Sequence, residues 1–170
     1  MRYFMPLSSN ISSLIPVIGT ILNIRPQSSD CSNQMISLAT DNGPVNVILS
    51  PDTTVVDSTR LRSGMRVVIY YDGNRPMPLI FPPQYQAVLV AVLRPGEQVL
   101  LSRFDRNLIS QNPDQPLRLN IAPSTTIQTL NGQNSTCPLG GRTLLVFYSN
   151  TARSIPPQTT PRKVIVLSVS

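Results

Sequence analysis

The chain has no histidine, no tryptophan, one glutamate (Glu97) and two cysteines among its 170 residues. Without histidine there is no Ser-His-Asp or Cys-His triad, no imidazole acid–base catalyst and no His-based zinc site. Two cysteines are too few for a disulfide framework or a Cys-based metal site. Seven aspartates remain for a carboxylate pair. Asp41, Asp57, Asp72 and Asp114 sit in or beside turn sequences, where Asp bonds the local backbone instead. Gly140-Gly141 lacks the lysine and following helix of a phosphate loop. The sequence therefore predicts no enzyme, no cofactor, no metal and no small-molecule substrate.

Charge is scarce as well, at 13% of residues against the usual quarter or so. Polarity comes from Ser, Thr, Asn and Gln, which repel like copies weakly and so permit self-association. The net charge of +6 is carried by thirteen arginines and one lysine, Lys163. Only Arg60, Arg62 and Arg66 form a tight group, read either as a solvated loop flank or as a polyanion contact. No run reaches the ~18 apolar residues of a membrane helix. The N-terminus lacks the apolar core and small-residue cleavage site of a secretion signal. A protein of the cell surface would then leave by another route or stand here without its signal, and a cytoplasmic location stays open.

What is abundant is proline, 17 residues spread along the chain, which cuts most segments too short for helices. β-branched runs between them predict short strands. The chain also repeats itself. Asn46-Val-Ile-Leu-Ser-Pro-Asp-Thr-Thr-Val-Val-Asp57 returns as Arg118-Leu-Asn-Ile-Ala-Pro-Ser-Thr-Thr-Ile-Gln-Thr129. In the same order, Val68-Ile-Tyr-Tyr71 matches Leu145-Val-Phe-Tyr148, Pro82-Pro-Gln84 matches Pro156-Pro-Gln158, and Ala87-Val-Leu-Val-Ala91 matches Lys163-Val-Ile-Val-Leu167. Repeats of this length are small domains, not solenoid units.

The first repeat predicts a strand from Val17, a loop from Arg25 to Asn33, and a hairpin of Met35–Ala39 with Val45–Leu49 around Asn42-Gly43. A strand over Arg66–Tyr71 and a closing strand from Tyr85 to Leu93 follow. The second repeat reuses this plan with less decoration. Five strands, with the longest connection between the third and fourth, is the order of an OB-type barrel. The expected fold is all-β: two tandem five-stranded OB-like barrels related by internal duplication, residues 17–94 and 95–170, preceded by an extended arm, residues 1–16.

Nucleic-acid binders of this type stack bases on aromatics of the central strands. Strands two and three of both repeats have none, which argues against a nucleic-acid partner. Tyr70, Tyr71, Phe147 and Tyr148 fall on strand four and read as packing residues.

Val47-Ile-Leu-Ser-Pro-Asp-Thr53, Val68-Ile-Tyr-Tyr-Asp72, Pro78-Leu-Ile-Phe-Pro-Pro-Gln-Tyr-Gln-Ala-Val88 and the segment from Arg153 to Leu167 resemble an uncharacterised group of tandem small β-barrel proteins of spore-forming Gram-positive bacteria. The resemblance covers about residues 17–169 and implies a non-enzymatic protein of the cell or spore surface. It says nothing of the arm.

The arm holds Tyr3, Phe4, Met5, Leu7, Ile11, Leu14 and Ile15 with one charge, Arg2, and such a segment should be buried somewhere. Insertion as a strand into a neighbouring copy would build a homopolymer, an extracellular or spore-associated filament. Packing back along its own barrel is the other expectation. Met77, Leu79 and Phe81 in the proline-rich loop either fold over their own barrel or offer an apolar surface to another subunit. Cys31 and Cys137 are read as a buried or inert pair, or as forming a disulfide within or between subunits. The rival function is an OB-like module for a polyanion, nucleic acid or glycan, held by Arg60, Arg62 and Arg66.

Overall fold

The computed structural model describes residues 13–168, and these form two compact units, Ser13–Pro95 and the segment from Gly96 onward. Both are all-β, with one 3-10 turn, Val56–Ser58, among the named elements.

The first unit holds β1 (Leu14–Gln27), β2 (Asp30–Thr40), β3 (Gly43–Leu49), β4 (Thr54–Val55), β5 (Arg66–Asp72), β6 (Gln84–Gln86) and β7 (Leu89–Leu93). They form one sheet in the order β4-β7-β5-β1-β2-β3-β6. β3 and β6 are parallel, whereas β7 runs antiparallel to β5. Only Ala87 and Val88 separate β6 from β7, so the strand at one end of the sheet and the strand next to its other end are consecutive. Ile21, Ile36, Leu38, Val45, Val47, Val67, Ile69, Ala87 and Val90 make the core. In β5 four successive residues, Val67 to Tyr70, are buried, so both faces of this strand are covered and no polar alternation is visible in its sequence.

The Asn-Gly hairpin forms as the sequence predicts, with Thr40 opposite Gly43. Gly43 takes φ of 108°, open to glycine alone without strain, and the Thr40 hydroxyl donates to the Gly43 carbonyl at 2.6 Å. The expected loop from Arg25 to Asn33 is instead the tip of a long β1–β2 hairpin that turns at Ser28 and Ser29. Polar side chains hold it. Asn33 donates to Gln27, Arg25 donates to Asn23 and Ser37, and Asp30 accepts from both the hydroxyl and the backbone N–H of Ser32. Those two bonds, the hydroxyl's first, hold the Asp30 carboxyl below the ordinary range. At Gly19 an added Cβ would lie 2.7 Å from the Ala39 carbonyl oxygen, which is why glycine stands where β1 begins to pair with β2.

β1 also begins earlier than predicted. Leu14, Ile15 and Pro16 pair with Asp72, Tyr71 and Tyr70 of β5. The expected arm of residues 1–16 is thus corrected at its end: its last residues belong to the first strand, because β5 is long enough to pair with them.

The second unit holds β8 (Gln98–Arg103), β9 (Arg118–Leu119), β10 (Thr126–Gln128), β11 (Thr143–Tyr148), β12 (Gln158–Thr159) and β13 (Lys163–Ser168). Its sheets are β10-β13-β11-β8 and the parallel pair β12-β9. Leu100, Phe104, Leu117, Leu119, Leu139, Leu144, Val146, Tyr148 and Val164 form its core. In place of the first unit's long hairpin there are isolated bridges, Phe104 with Ser110 and Ile109 with Arg118.

The repeated Pro-x-Thr-Thr corner makes the same bonds in both units. The N–H of Thr53 donates to the Ser50 carbonyl and that of Thr125 to the Ala122 carbonyl, at 3.0 and 2.9 Å. Each threonine hydroxyl accepts the N–H of that same residue, Ser50 or Ala122. It then donates at 2.8 Å to the closing segment, to Ala87 O in one unit and Pro161 O in the other. The next residue continues the link, Thr54 N to Val88 O and Thr126 N to Arg162 O. A hydroxyl suits this position because one side-chain oxygen must accept and donate at once. Both proline loops also carry a cis peptide at matching positions, Phe81–Pro82 and Ile155–Pro156.

Candidate functional site

The end of β5, the loop after it and the start of β6 enclose an open cleft of about 220 Å³ in the first unit. Tyr71, Asp72, Arg75, Pro76, Met77, Pro78, Gln84 and Gln86 line it. Strand alternation places Gln84 and Gln86 on one side of β6. Tyr85, between them, stacks on Tyr71 with ring centroids 4.3 Å apart and planes 27° from parallel. The stack fixes the Tyr71 ring as a wall. Desolvation, with the Tyr85 phenol adding to it, raises the Tyr71 phenol above the ordinary tyrosine range, so it is a neutral donor and acceptor at physiological pH.

Asp72 accepts the N–H of Asn74 at 2.9 Å and lies 4.0 Å from the Arg75 guanidinium, a pair with no net charge. The Tyr71 hydroxyl and the side-chain amides of Gln84 and Gln86 make no hydrogen bond to the described protein. Sequence reasoning missed this arrangement. Its one legible trace was Gln-Tyr-Gln at 84–86, whose alternation puts two amides on one face.

Beyond the cleft the loop carries its apolar residues into solvent. Leu79 is fully exposed and Phe81 83% exposed, while Met77, at 39%, is half drawn into the cleft wall. Met77 thus lies against its own unit, while Leu79 and Phe81 do not fold over it. Ile155, the match of Phe81 in the second repeat, is fully exposed too. Ile15, on β1, is partly exposed and would meet any side chain placed on Gly73. Leu14 is half-buried beside it. Tyr3, Phe4, Met5, Leu7 and Ile11 lie outside the described residues.

Arg60 and Arg62 are exposed after the 3-10 turn. Arg66 opens β5, and its guanidinium donates to the Arg94 carbonyl at 3.3 Å. Cys31 and Cys137 are both free thiols and both exposed, which corrects the reading as a buried pair: Cys31 lies on the polar hairpin tip and Cys137 in a loop.

The aspartates of the turns divide their work with neighbours. Asp72 bonds its turn directly, but Thr40 and Asn112 accept the backbone N–H groups of Asn42 and Asp114. The lone glutamate is the other surprise. Glu97 is 1% exposed, and Arg162 grips both its oxygens, Nε at 2.7 Å and Nη2 at 2.8 Å. The same guanidinium lies over the Phe147 ring. Tyr70, Phe147 and Tyr148 are buried packing residues, as their strand-four position predicts, and Tyr71, packed with Tyr85 against the first unit's core, also lines the cleft.

No family model matches the chain, and no curated protein matches it.

Proposed function

We propose that the protein is a non-enzymatic structural protein that self-assembles, each unit being an OB-like barrel and the N-terminal arm a strand donated to a neighbouring copy. The observation that carries this reading is the apolar loop: Leu79 and Phe81 stand in solvent with nothing of their own unit over them. Large apolar side chains grouped on a projecting loop mark a contact surface. The arm supplies a second apolar element outside the repeat, in a chain with only 13% charged residues. Head-to-tail contact between two different surfaces does not close on itself and extends into a filament.

The barrel reading is supported by the strand circuit of the first unit, where β3, β6, β7, β5, β1 and β2 each lead to the next and back to β3. The second unit has the corresponding parallel and antiparallel pairs, β9 with β12, β10 with β13 and β11 with β8. The shared threonine corner favours an internal duplication. A position at the cell or spore surface rests on the resemblance alone.

The test is truncation after Ser12, which leaves β1 intact, because the Ser13 carbonyl still accepts the Gly73 N–H. Electron microscopy and native mass of the full chain and the truncated one are then compared. Assemblies that need residues 1–12 support the reading. A full-length chain that is strictly monomeric, or filaments undiminished by truncation, would sink the arm's role.

A further inference from the structure

We infer that the cleft beneath the proline-rich loop binds a single neutral sugar ring, free or as a residue of a glycan. This stands apart from self-assembly and departs from the sequence-based expectation of no small-molecule ligand. Size comes first. The cleft measures about 220 Å³. That is below the ~300–1,000 Å³ of a drug-sized site and enough for one pyranose.

Chemistry narrows the class. The walls alternate apolar faces, the Tyr71 ring, Pro76, Met77 and Pro78, with hydrogen-bonding groups, Asp72, Arg75, Gln84 and Gln86. A sugar presents the same alternation, C–H faces between hydroxyls that both donate and accept. Gln84 and Gln86 each offer an amide oxygen and an NH2, and the Tyr71 hydroxyl can do either. None of the three is engaged within the described protein, so these groups are held ready while their neighbours in the hairpins are paired. Charge excludes the nearest rivals. Asp72 and Arg75 neutralise each other across 4.0 Å, leaving no unbalanced charge to select an anion or a cation. The cleft is also preorganised: the Tyr71–Tyr85 stack and the ladder from Asn46–Ile48 to Gln84–Gln86 fix three of its walls before any ligand arrives.

The experiment is ligand-detected NMR and calorimetry on the full chain with glucose, galactose, N-acetylglucosamine and glucuronate, and with linear oligosaccharides of the neutral three. At least one neutral sugar is expected to saturate with a dissociation constant on the order of millimolar. Gln86→Ala, at an exposed side chain that leaves the fold untouched, should weaken it by up to about tenfold. Tyr71→Ala should abolish it, with circular dichroism reporting whether that variant folds. Equal affinity for free sugar and oligosaccharide assigns the cleft to a chain end or free sugar. Tighter oligosaccharide binding assigns it to a residue within a polymer. Absence of saturation by every neutral probe, binding unchanged in Gln86→Ala, or glucuronate bound more tightly than any neutral sugar overturns the inference.

Discussion

The two units share a corner and differ almost everywhere else. In the first, strands two and three form a long hairpin in register from Gln34 with Leu49 to Thr40 with Gly43. In the second, the same stretch is reduced to bridges, and a hydroxyl does what the ladder did. Ser110 Oγ donates to the Gln115 carbonyl and accepts the N–H of Leu117, closing the turn that Asn112 begins. The second unit adds the buried Glu97–Arg162 fork, a device not drawn from the repeat: the ladders set Leu89, not Ala87 as the sequence match has it, level with Lys163, so the first unit's counterpart of Arg162 is Val88. The difference teaches that the corner is kept because it joins the third strand to the closing strand. The hairpin can be exchanged for side-chain bonds so long as the core beneath it is filled.

That comparison can be broken most severely at Glu97. Glu97→Gln strands the Arg162 guanidinium beside a neutral amide in a buried position, and loss of one partner of a buried pair costs about 3 kcal/mol or more. Arg162 is 26% exposed on its side chain, which places the expected value at the lower end. Urea unfolding should show a transition destabilised by that amount, and proteolysis should cut the segment from Gly96 onward first. A wild-type transition in Glu97→Gln would mean that the fork adds nothing.

Substitution of the corner threonines tests their equivalence. Thr53→Val and Thr125→Val keep the shape and remove both hydroxyl bonds, costing about 1–2 kcal/mol each. Thr125 is buried at 9% exposure and Thr53 less so, which makes the second unit the more sensitive. A larger loss at Thr53, from urea midpoints at constant slope, would show that burial does not set the cost.

The smallest effect is expected at the cysteines, one in each unit. Both thiols should react with an aromatic disulfide reagent in native buffer, and Cys31→Ser with Cys137→Ser should leave the urea midpoint within about 0.5 kcal/mol of wild type. A thiol that reacts only after denaturation would contradict the exposure at that position.

The strands were legible in the sequence wherever apolar residues alternate or run together, and the Asn42-Gly43 turn was marked by the one residue that suits its φ. The hairpin tip from Arg25 to Asn33 was not, because Asn, Ser and Arg pair there across strands and leave no hydrophobic period. The burial of Glu97 was not legible either, since its partner lies 65 positions away and nothing local signals it. The cleft was hidden for a similar reason: Tyr71 belongs to β5 and Gln84 and Gln86 to β6, strands that do not pair with each other, and only the fold brings the three to one cleft. The apolar loop, by contrast, was legible from Leu79 and Phe81 alone, because no strand period accommodates them between prolines.

Ala87 and Val88 separate β6 from β7, and their four backbone groups go to four partners. Ala87 N–H reaches Ile48, its carbonyl takes the Thr53 hydroxyl, Val88 N–H reaches Tyr70, and its carbonyl takes Thr54 N–H. In the second repeat Pro161 stands in Ala87's place without an N–H, and the other three links remain. Such a joint is held through the backbone and is strict about chain length. One residue inserted or removed between Gln86 and Leu89 would put β6 out of step with β3 or β7 out of step with β5, so insertions and deletions should not be tolerated there.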